Sequence, residues 1–330
     1  MNAMTKSSTW HAGERAAQER AGTAKRMAEI GPHVVRSFMP DQHRELFEHL
    51  PFLVVGTLDA EKRPWASIVA GLPGFVAGPH PKRLEVTAQP TPGDPLADAL
   101  QPGAPIGILG IELPTRRRNR MNGHVAAHDA IGFAIDVEES FGNCPQYIQR
   151  RDYTAFTPGA VTVESFDGLP AEAAALIRRA DTMFVASAAP RDEGGGMTVD
   201  VSHRGGQPGF LGIDADGAVV VPDFRGNGFF QTLGNLVAFP HAGLVVPDFA
   251  TGDLLQLTGD ADVAWDGPEV EAFPGAQRLW KVRPRQGRWL RGAFPLRFGD
   301  AELSPRSLAV GVYQGPKDAA VGATPERTPA

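Results

Sequence analysis

The sequence predicts a mainly β chain with peripheral helices, built from two copies of one plan. Three observations carry that expectation. Thirty-eight glycines and 29 prolines punctuate 330 residues, which favours many short strands over long helices. Apolar runs of strand length recur between these breaks. Residues 67–75 also align with 202–210 at a constant offset of 135 (202 − 67), with Ser, Gly and Pro-Gly-Phe coinciding. A chain of this length can bury two ordinary cores.

Composition narrows the function. Hydrophobic residues make up 42% and charged residues 21%, a globular balance. A net charge of −6 gives no electrostatic reason to expect nucleic acid or an anionic membrane surface as partner. The single cysteine, Cys144, rules out an internal disulfide and a thiolate-rich metal site, and fits a cytoplasmic location. No apolar run approaches the ~20 residues of a membrane helix, and the N-terminus lacks the apolar core of a signal peptide. The expected partner is therefore a small-molecule substrate or electron donor, with no nucleic acid and no membrane.

Taken in order, residues 1–10 are polar and read as frayed. Residues 11–30 favour a helix, but Ala16, Ala24 and Met27 give only a thin apolar stripe, so loose packing is expected up to the break at Gly31-Pro32. Residues 1–39 thus form an N-terminal helical extension. A second helix spans 41–49, with Asp41 as N-cap and Leu46, Phe47 and Leu50 on one face. Residues 52–58 read as a buried strand that turns at 59–62 into a second strand at 64–69. Strands at 84–88 and 106–111 flank a short helix at 95–100. The run Arg116-Arg117-Arg118-Asn119-Arg120 opens another strand, on which Arg116, Arg118 and Arg120 share one face. Such a face is ordinarily solvated; turned inward, it would meet an anionic ligand. Residues 125–137 continue the sheet, and 141–150 lead into a short helix.

Residues 154–163 read as extended, and 170–180 as a helix with Ala173, Leu176 and Ile177 inward. The second copy follows. Residues 52–56 match 183–187, Gly107-Ile108-Leu109 matches Gly243-Leu244-Val245, and Asn122-Gly123 matches Thr258-Gly259, the last two at an offset of 136 (243 − 107). A helix at 229–239 turns Phe229, Leu233, Leu236 and Val237 inward. After Val263 the segments 280–283 and 288–290 alternate like strands. The expected units are 40–164, 165–315 with its C-terminal strands, and a disordered tail at 316–330 rich in Pro, Ala, Thr and charge.

Polar donors are densest from residue 197 to 240. Ser202 and Arg204 lie at i and i+2, on one strand face. Arg225-Gly226-Asn227-Gly228 precedes the helix at 229–239, whose first turn can meet an anion; Asn227 can cap it, while Gly226 and Gly228 permit close backbone approach. Thr232 and Asn235 follow one and two turns on. Each residue alone has a plainer explanation: Ser202 and Asp223 as turn formers, Asn227 as a cap, Arg204 and Arg225 as solvated charge. His203 points to the opposite strand face, which suits a structural role, and Cys144 reads as a packed residue beside Pro145. No catalytic residue and no metal set stands out.

The pattern Val199-Asp200-Val201-Ser202-His203-Arg204-Gly205-Gly206, followed by Pro208-Gly209-Phe210, Pro222-Asp223, Gly226-Asn227, Thr232-Leu233, Asn235-Leu236, Pro240 and Gly243-Leu244, resembles the pyridoxamine 5′-phosphate oxidase-like flavoproteins. It does so closely over about residues 181–265 and more faintly over the first copy. The resemblance implies two tandem split β-barrels that form an intrachain pseudo-dimer, with FMN between them. It implies cofactor-binding roles for Ser202, Arg204, Asp223, Arg225, Gly226, Asn227, Thr232 and Asn235. The segment from Asn143-Cys144-Pro145 to Arg150 resembles the family's Cys-Pro-x-x-(Ile/Leu)-x-Arg stretch, which approaches the partner barrel's flavin, and adds Asn143 and Arg150. The first copy departs from the pattern: Val69 stands for Arg204, Ala88 for Asp223, and residues 91–95 replace the Gly-Asn loop. One FMN is therefore expected, held mostly by the second copy and closed over by the first. The implied function is an FMN-dependent oxidoreductase of unknown substrate. Alternatives are a non-catalytic flavin-binding or electron-transfer module, or a split-barrel scaffold for another ligand such as haem. No C-terminal pattern matches the substrate segment of the vitamin B6 oxidases, so pyridoxamine phosphate is not the expected substrate. A homodimer of pseudo-dimers is also consistent with the family.

Overall fold

The computed structural model describes residues 8–192 and 195–315. The expected disordered tail and residues 1–7 of the expected frayed N-terminus lie outside them. Helices α1 (Ala12–Arg20), α2 (Ala24–Val34) and α3 (Asp41–His49) come first. A sheet follows from β1 (Phe52–Leu58), β2 (Pro64–Ala70), β3 (Val76–His80), β4 (Arg83–Val86), β5 (Pro105–Glu112), β6 (Arg117–His128) and β7 (Phe133–Gly142), with α4 (Leu96–Ala99) between β4 and β5. Then β8 (Tyr153–Phe156), β9 (Thr162–Asp167) and α5 (Ala171–Arg179) lead to β10 (Thr182–Pro190), β11 (Met197–Gly205), β12 (Gly212–Ile213) and β13 (Val219–Phe224). The second sheet is completed after α6 (Gln231–Ala238) by β14 (His241–Asp248), β15 (Asp253–Ala264) and, past α7 (Pro268–Glu271), β16 (Ala276–Arg291). The described chain ends in β17 (Leu296–Phe298) and α8 (Pro305–Leu308). The protein is mainly β, and no described helix is long and apolar enough to cross a membrane.

Both sheets repeat one strand order. The first runs β2-β1-β5-β6-β7-β4-β3 and the second β11-β10-β14-β15-β16-β13-β12, with β9 added on β16; neither closes on itself. The repeat extends to register. Val55 pairs with Ser67 and Ile108, as Val185 pairs with Ser202 and Leu244. Bulges fall at Asn122/Gly123 on β6 and at Thr258/Gly259 on β15, the same place in both copies. Two expectations need correction. Residues 52–56 correspond to 182–186 rather than 183–187, because β1 and β10 are buried on both faces and carry no alternation to fix their register. The segments 280–283 and 288–290, expected as separate strands, are one long strand, β16, the counterpart of β7.

Burial explains why β1 and β10 have no polar face. One core lies under the first sheet around Phe47, Leu53, Val55 and Ile108, and a second lies under the other around Val185, Leu244 and Trp280. A third core, with Phe52, Val54, Ile68 and Leu109 on one side and Phe184, Val201, Val245 and Leu290 on the other, joins the two sheets. Glycine permits the closest approaches. A Cβ on Gly107 would lie 2.7 Å from the Val199 carbonyl oxygen, and one on its counterpart Gly243 would lie 2.3 Å from that of Pro64.

The N-terminal extension differs from expectation. It is two helices, with Pro32 inside α2, and it is tightly packed: Gly13, Glu14, Ala17 and Gln18 of α1 are buried. The contact with α6 is made through glycine, since a Cβ on Gly13 would lie 2.2 Å from the Gly234 carbonyl oxygen. Helix α2 is held by an apolar cluster of Met27, Trp10 and Phe229, whereas the α1 contact rests on close glycine approach. In α3 the N-cap is Pro40, and Asp41 is the first helical residue. Residues 143–149 contain a turn at Gln146 and Tyr147 instead of a helix, with Tyr147 in the left-handed region (φ 62°).

Candidate functional site

Strand β11 is an edge strand, and its C-terminal end, the loop after β13 and the start of α6 surround a cavity of about 320 Å³. Cavities that bind small molecules run from roughly 300 Å³ upward. Ser202 and Arg204 reach it from β11, Asp223 from β13, Arg225, Gly226 and Asn227 from the loop, and Thr232 from α6. Asn143 reaches it from beyond β7, and its Oδ1 accepts a hydrogen bond from Asn227 Nδ2 at 3.3 Å. These eight sequence-predicted residues share one cavity. The other two do not reach it. Asn235 is buried a turn deeper, donating to Ser187 Oγ (3.0 Å) and Asp200 Oδ2 (2.9 Å). Arg150 is exposed and pairs with Glu302 at 3.1 Å, because residues 143–149 form a loop instead of the expected helix.

Helix α6 starts later than predicted. Its N-cap is Phe230, in the left-handed region at φ 62°, and Asn227 acts one turn earlier by accepting from the Phe229 N–H at 3.1 Å. A bulky residue in this region costs on the order of 1–3 kcal/mol, and such strain gathers at ligand sites. Two of the four described non-glycine residues with positive φ, Tyr147 and Phe230, line the cavity. The first intrahelical bond of α6 runs from the Gly234 N–H to the Phe230 carbonyl, so the N–H groups of Gln231, Thr232 and Leu233 lack partners within the helix. Val237, expected inward, is exposed, while Thr232 and Asn235 are buried.

Three contributors escaped the sequence-based site. From β6, Arg118 and Arg120 enter the cavity, while Arg116 precedes the strand and pairs with Glu302 instead. Their i, i+2 spacing was the available signal. Arg120 is buried, donating to Asp200 Oδ1 (2.6 Å) and Gln231 Oε1 (2.7 Å). From the extension, Thr23, Arg26 and Met27 form a wall. Arg278 of β16 is the third, anchored on Asp223 at 3.0 Å.

The electrostatics are one-sided. Among the described residues, six arginines (26, 118, 120, 204, 225 and 278) line the cavity against one carboxylate, Asp223. Burial, then Arg204 and Arg120, pushes the Arg118 guanidinium down to about 9. Burial likewise lowers Arg204, partly offset by Asp223 4.0 Å away. Burial and the neighbouring arginines hold His203 neutral, well below its usual range. Its Nδ1 accepts from Arg118 Nη1 at 3.1 Å, which leaves the ring proton on Nε2. Among the described residues that Nε2 has no partner. Nor do Arg118 Nε, Arg120 Nε, Arg204 Nε and Asn143 Nδ2, so five cavity-lining side chains hold buried donors unsatisfied. Each such group costs roughly 1–3 kcal/mol unless a ligand or water meets it. Tyr147, Phe210, Phe224 and Phe230 add aromatic residues to the cavity wall.

No family model matches the chain, and no curated protein matches it. Among solved structures, HupZ of Group A Streptococcus is similar over 36% of this chain and 97% of its own, at 12% identity and a TM-score of 0.29. A Lactobacillus delbrueckii protein described as a candidate pyridoxamine 5′-phosphate oxidase is similar over 32% of this chain and 95% of its own, at 16% identity and a TM-score of 0.26. At scores this low the likenesses carry no functional argument.

Proposed function

We propose that the chain binds one FMN non-covalently in this cavity, as a tandem pair of split barrels of the pyridoxamine 5′-phosphate oxidase-like class, and that it works as an FMN-dependent oxidoreductase. The observation that carries the reading is the set of five unsatisfied buried donors in a cavity lined by six arginines and one carboxylate. That donor set fits a ligand rich in oxygen acceptors and negative charge. A phosphate monoester suits it, since charge-assisted bonds to arginine are about twice as strong as neutral ones. The aromatic residues of the wall suit a fused ring joined to that phosphate.

Ser202, Arg204, Asn227 and the start of α6 would hold the phosphate and ribityl oxygens, with Asp223 and Arg278 fixing Arg204 in place. Asn143, Arg118 and the His203 Nε2–H would meet polar ring edges from the side of the first sheet. When bound, FMN supplies hydride or electron transfer. The protein's own part is to orient the ring and to shield it with α2 and Tyr147. Only one such site is proposed, because in the first copy Val69 is packed in the core where β11 carries Arg204.

The absorption spectrum of the purified full chain, with mass analysis of the chromophore released on denaturation, tests the cofactor. FMN in near one-to-one amount is expected. A colourless protein that takes up no added FMN, or one that carries haem, removes the reading. NAD(P)H turnover with an added acceptor separates an enzyme from an electron-transfer module.

A further inference from the structure

The two copies differ at one buried point in a way that locates the ligand's anionic group. In the first copy Asp94 is 3% exposed, and its carboxylate accepts three hydrogen bonds: from Ser67 Oγ at 2.5 Å, from the Leu96 N–H at the start of α4 at 2.9 Å, and from Gln256 Nε2 of the second sheet at 3.0 Å. Each donor has a counterpart in the second copy. Ser67 and Ser202 occupy the same register position beside Val55 and Val185. Leu96 and Gln231 both open the helix that joins the fourth strand of a copy to its fifth. Gln256 pairs with Val245 as Arg120 pairs with Leu109. The Asp94 carboxylate itself has no counterpart: offset by 135, its place is taken by Phe229 (229 − 94), which turns away to pack on Trp10, and Arg120 donates to Asp200 Oδ1 from a different strand position.

We infer that the position held in the first copy by the Asp94 carboxylate is, in the second, the seat of the ligand's anionic group, bounded by Ser202 Oγ, the first N–H groups of α6 and Arg120. This deepens the proposed function and rests on it for the identity of the ligand. It also explains the single site, since the first copy carries its own carboxylate where the second takes one from outside. Ser202, Gln231, Thr232 and Arg120 all line the cavity and are all buried. Gln231 and Asp200 each hold one terminal nitrogen of the Arg120 guanidinium in place, while its Nε has no partner among the described residues. The Thr232 hydroxyl donates to Ser202 Oγ at 3.1 Å, so the Ser202 proton is free to point at an acceptor. A compact oxyanion, a phosphate monoester in the flavin reading, matches such a seat.

Calorimetric titration of the full chain with inorganic phosphate, FMN and riboflavin tests the seat. Ser202→Ala is expected to weaken phosphate and FMN by about tenfold or more and to leave riboflavin unchanged. Ser67→Ala, at the matching position, should leave all three unchanged. Because Arg120→Gln alone strands Asp200, the double variant Arg120→Gln/Asp200→Asn serves as the second probe and should show the same selective loss. If both probes bind FMN and phosphate like the wild type, or if riboflavin falls in parallel, the seat is overturned while the flavin reading stands. Phosphate binding that depends on Ser202 without uptake of either flavin keeps the seat and removes the flavin. A wild type that takes none of the three removes both.

Discussion

Asp94 titrates near pH 6 in the folded protein, lifted by burial against the pull of Ser67, Leu96 and Gln256, whereas an unfolded aspartate ionises near 3.8. Between those values the folded state holds more protons than the unfolded one, so this group makes stability fall as pH rises. Asp94→Asn lacks that slope. Urea unfolding should show the variant gaining on the wild type between pH 4 and pH 7 by up to about 3 kcal/mol, and an unchanged difference would mean that the carboxylate is not desolvated as described. Arg118 poses the complementary case, a half-buried cation beside Arg204 and Arg120 with no carboxylate of its own. Arg118→Met should leave the ligand-free protein as stable or about 1 kcal/mol more stable, yet lower FMN affinity about tenfold. Loss of stability without loss of affinity would show that Arg118 is structural. Its place was half legible in the sequence: spacing put Arg118 and Arg120 on one face, but the direction of that face depends on Asp200 and His203, some 80 residues away. Pairings across that distance leave no mark in local periodicity.

At the scale of elements, α1 and α6 show what a hydrophobic pattern cannot reveal. Their contact runs through Gly13 and Gly234, through the bond from Gln18 Nε2 to the Phe229 carbonyl (3.0 Å) and through His11 and Asn235 (2.7 Å), none of them apolar. The thin stripe therefore suggested a loose helix where the structure has a close one. Gly13→Ala raises intrinsic helix propensity, yet its Cβ would collide with the Gly234 carbonyl. Overpacking of this kind costs about 1–3 kcal/mol. Since α1 leads into α2, and Met27 and Arg26 wall the cavity, the variant should release FMN faster in a stopped-flow chase. A higher melting temperature with unaltered release would contradict the contact. Strands β1 and β2 are legible in the sequence, because glycine, proline and apolar runs mark their ends. Strand β16 looks like two pieces in the sequence, because the polar residues around Pro284 and Gly287 interrupt its alternation.

For the whole molecule, the core shared between the two sheets predicts that the two copies unfold together. Phe184, fully buried in that shared core, should cost about 3–5 kcal/mol when cut to Ala and should lower FMN binding as well, because the site draws on both sheets. A variant that keeps FMN affinity while melting in two separate steps would argue for independent halves. The repeat itself was legible from Ser, Gly and Pro-Gly-Phe at one offset, whereas its register in the buried strands was not. The central claim, one FMN per chain seated against the second copy, is tested most directly by equilibrium titration with FMN of the wild type, Arg204→Ala and Val69→Ala. The expected result is saturation at one FMN per chain, a roughly ten- to hundredfold loss for Arg204→Ala and no loss for Val69→Ala. Saturation at two per chain, or equal losses from both substitutions, would contradict it.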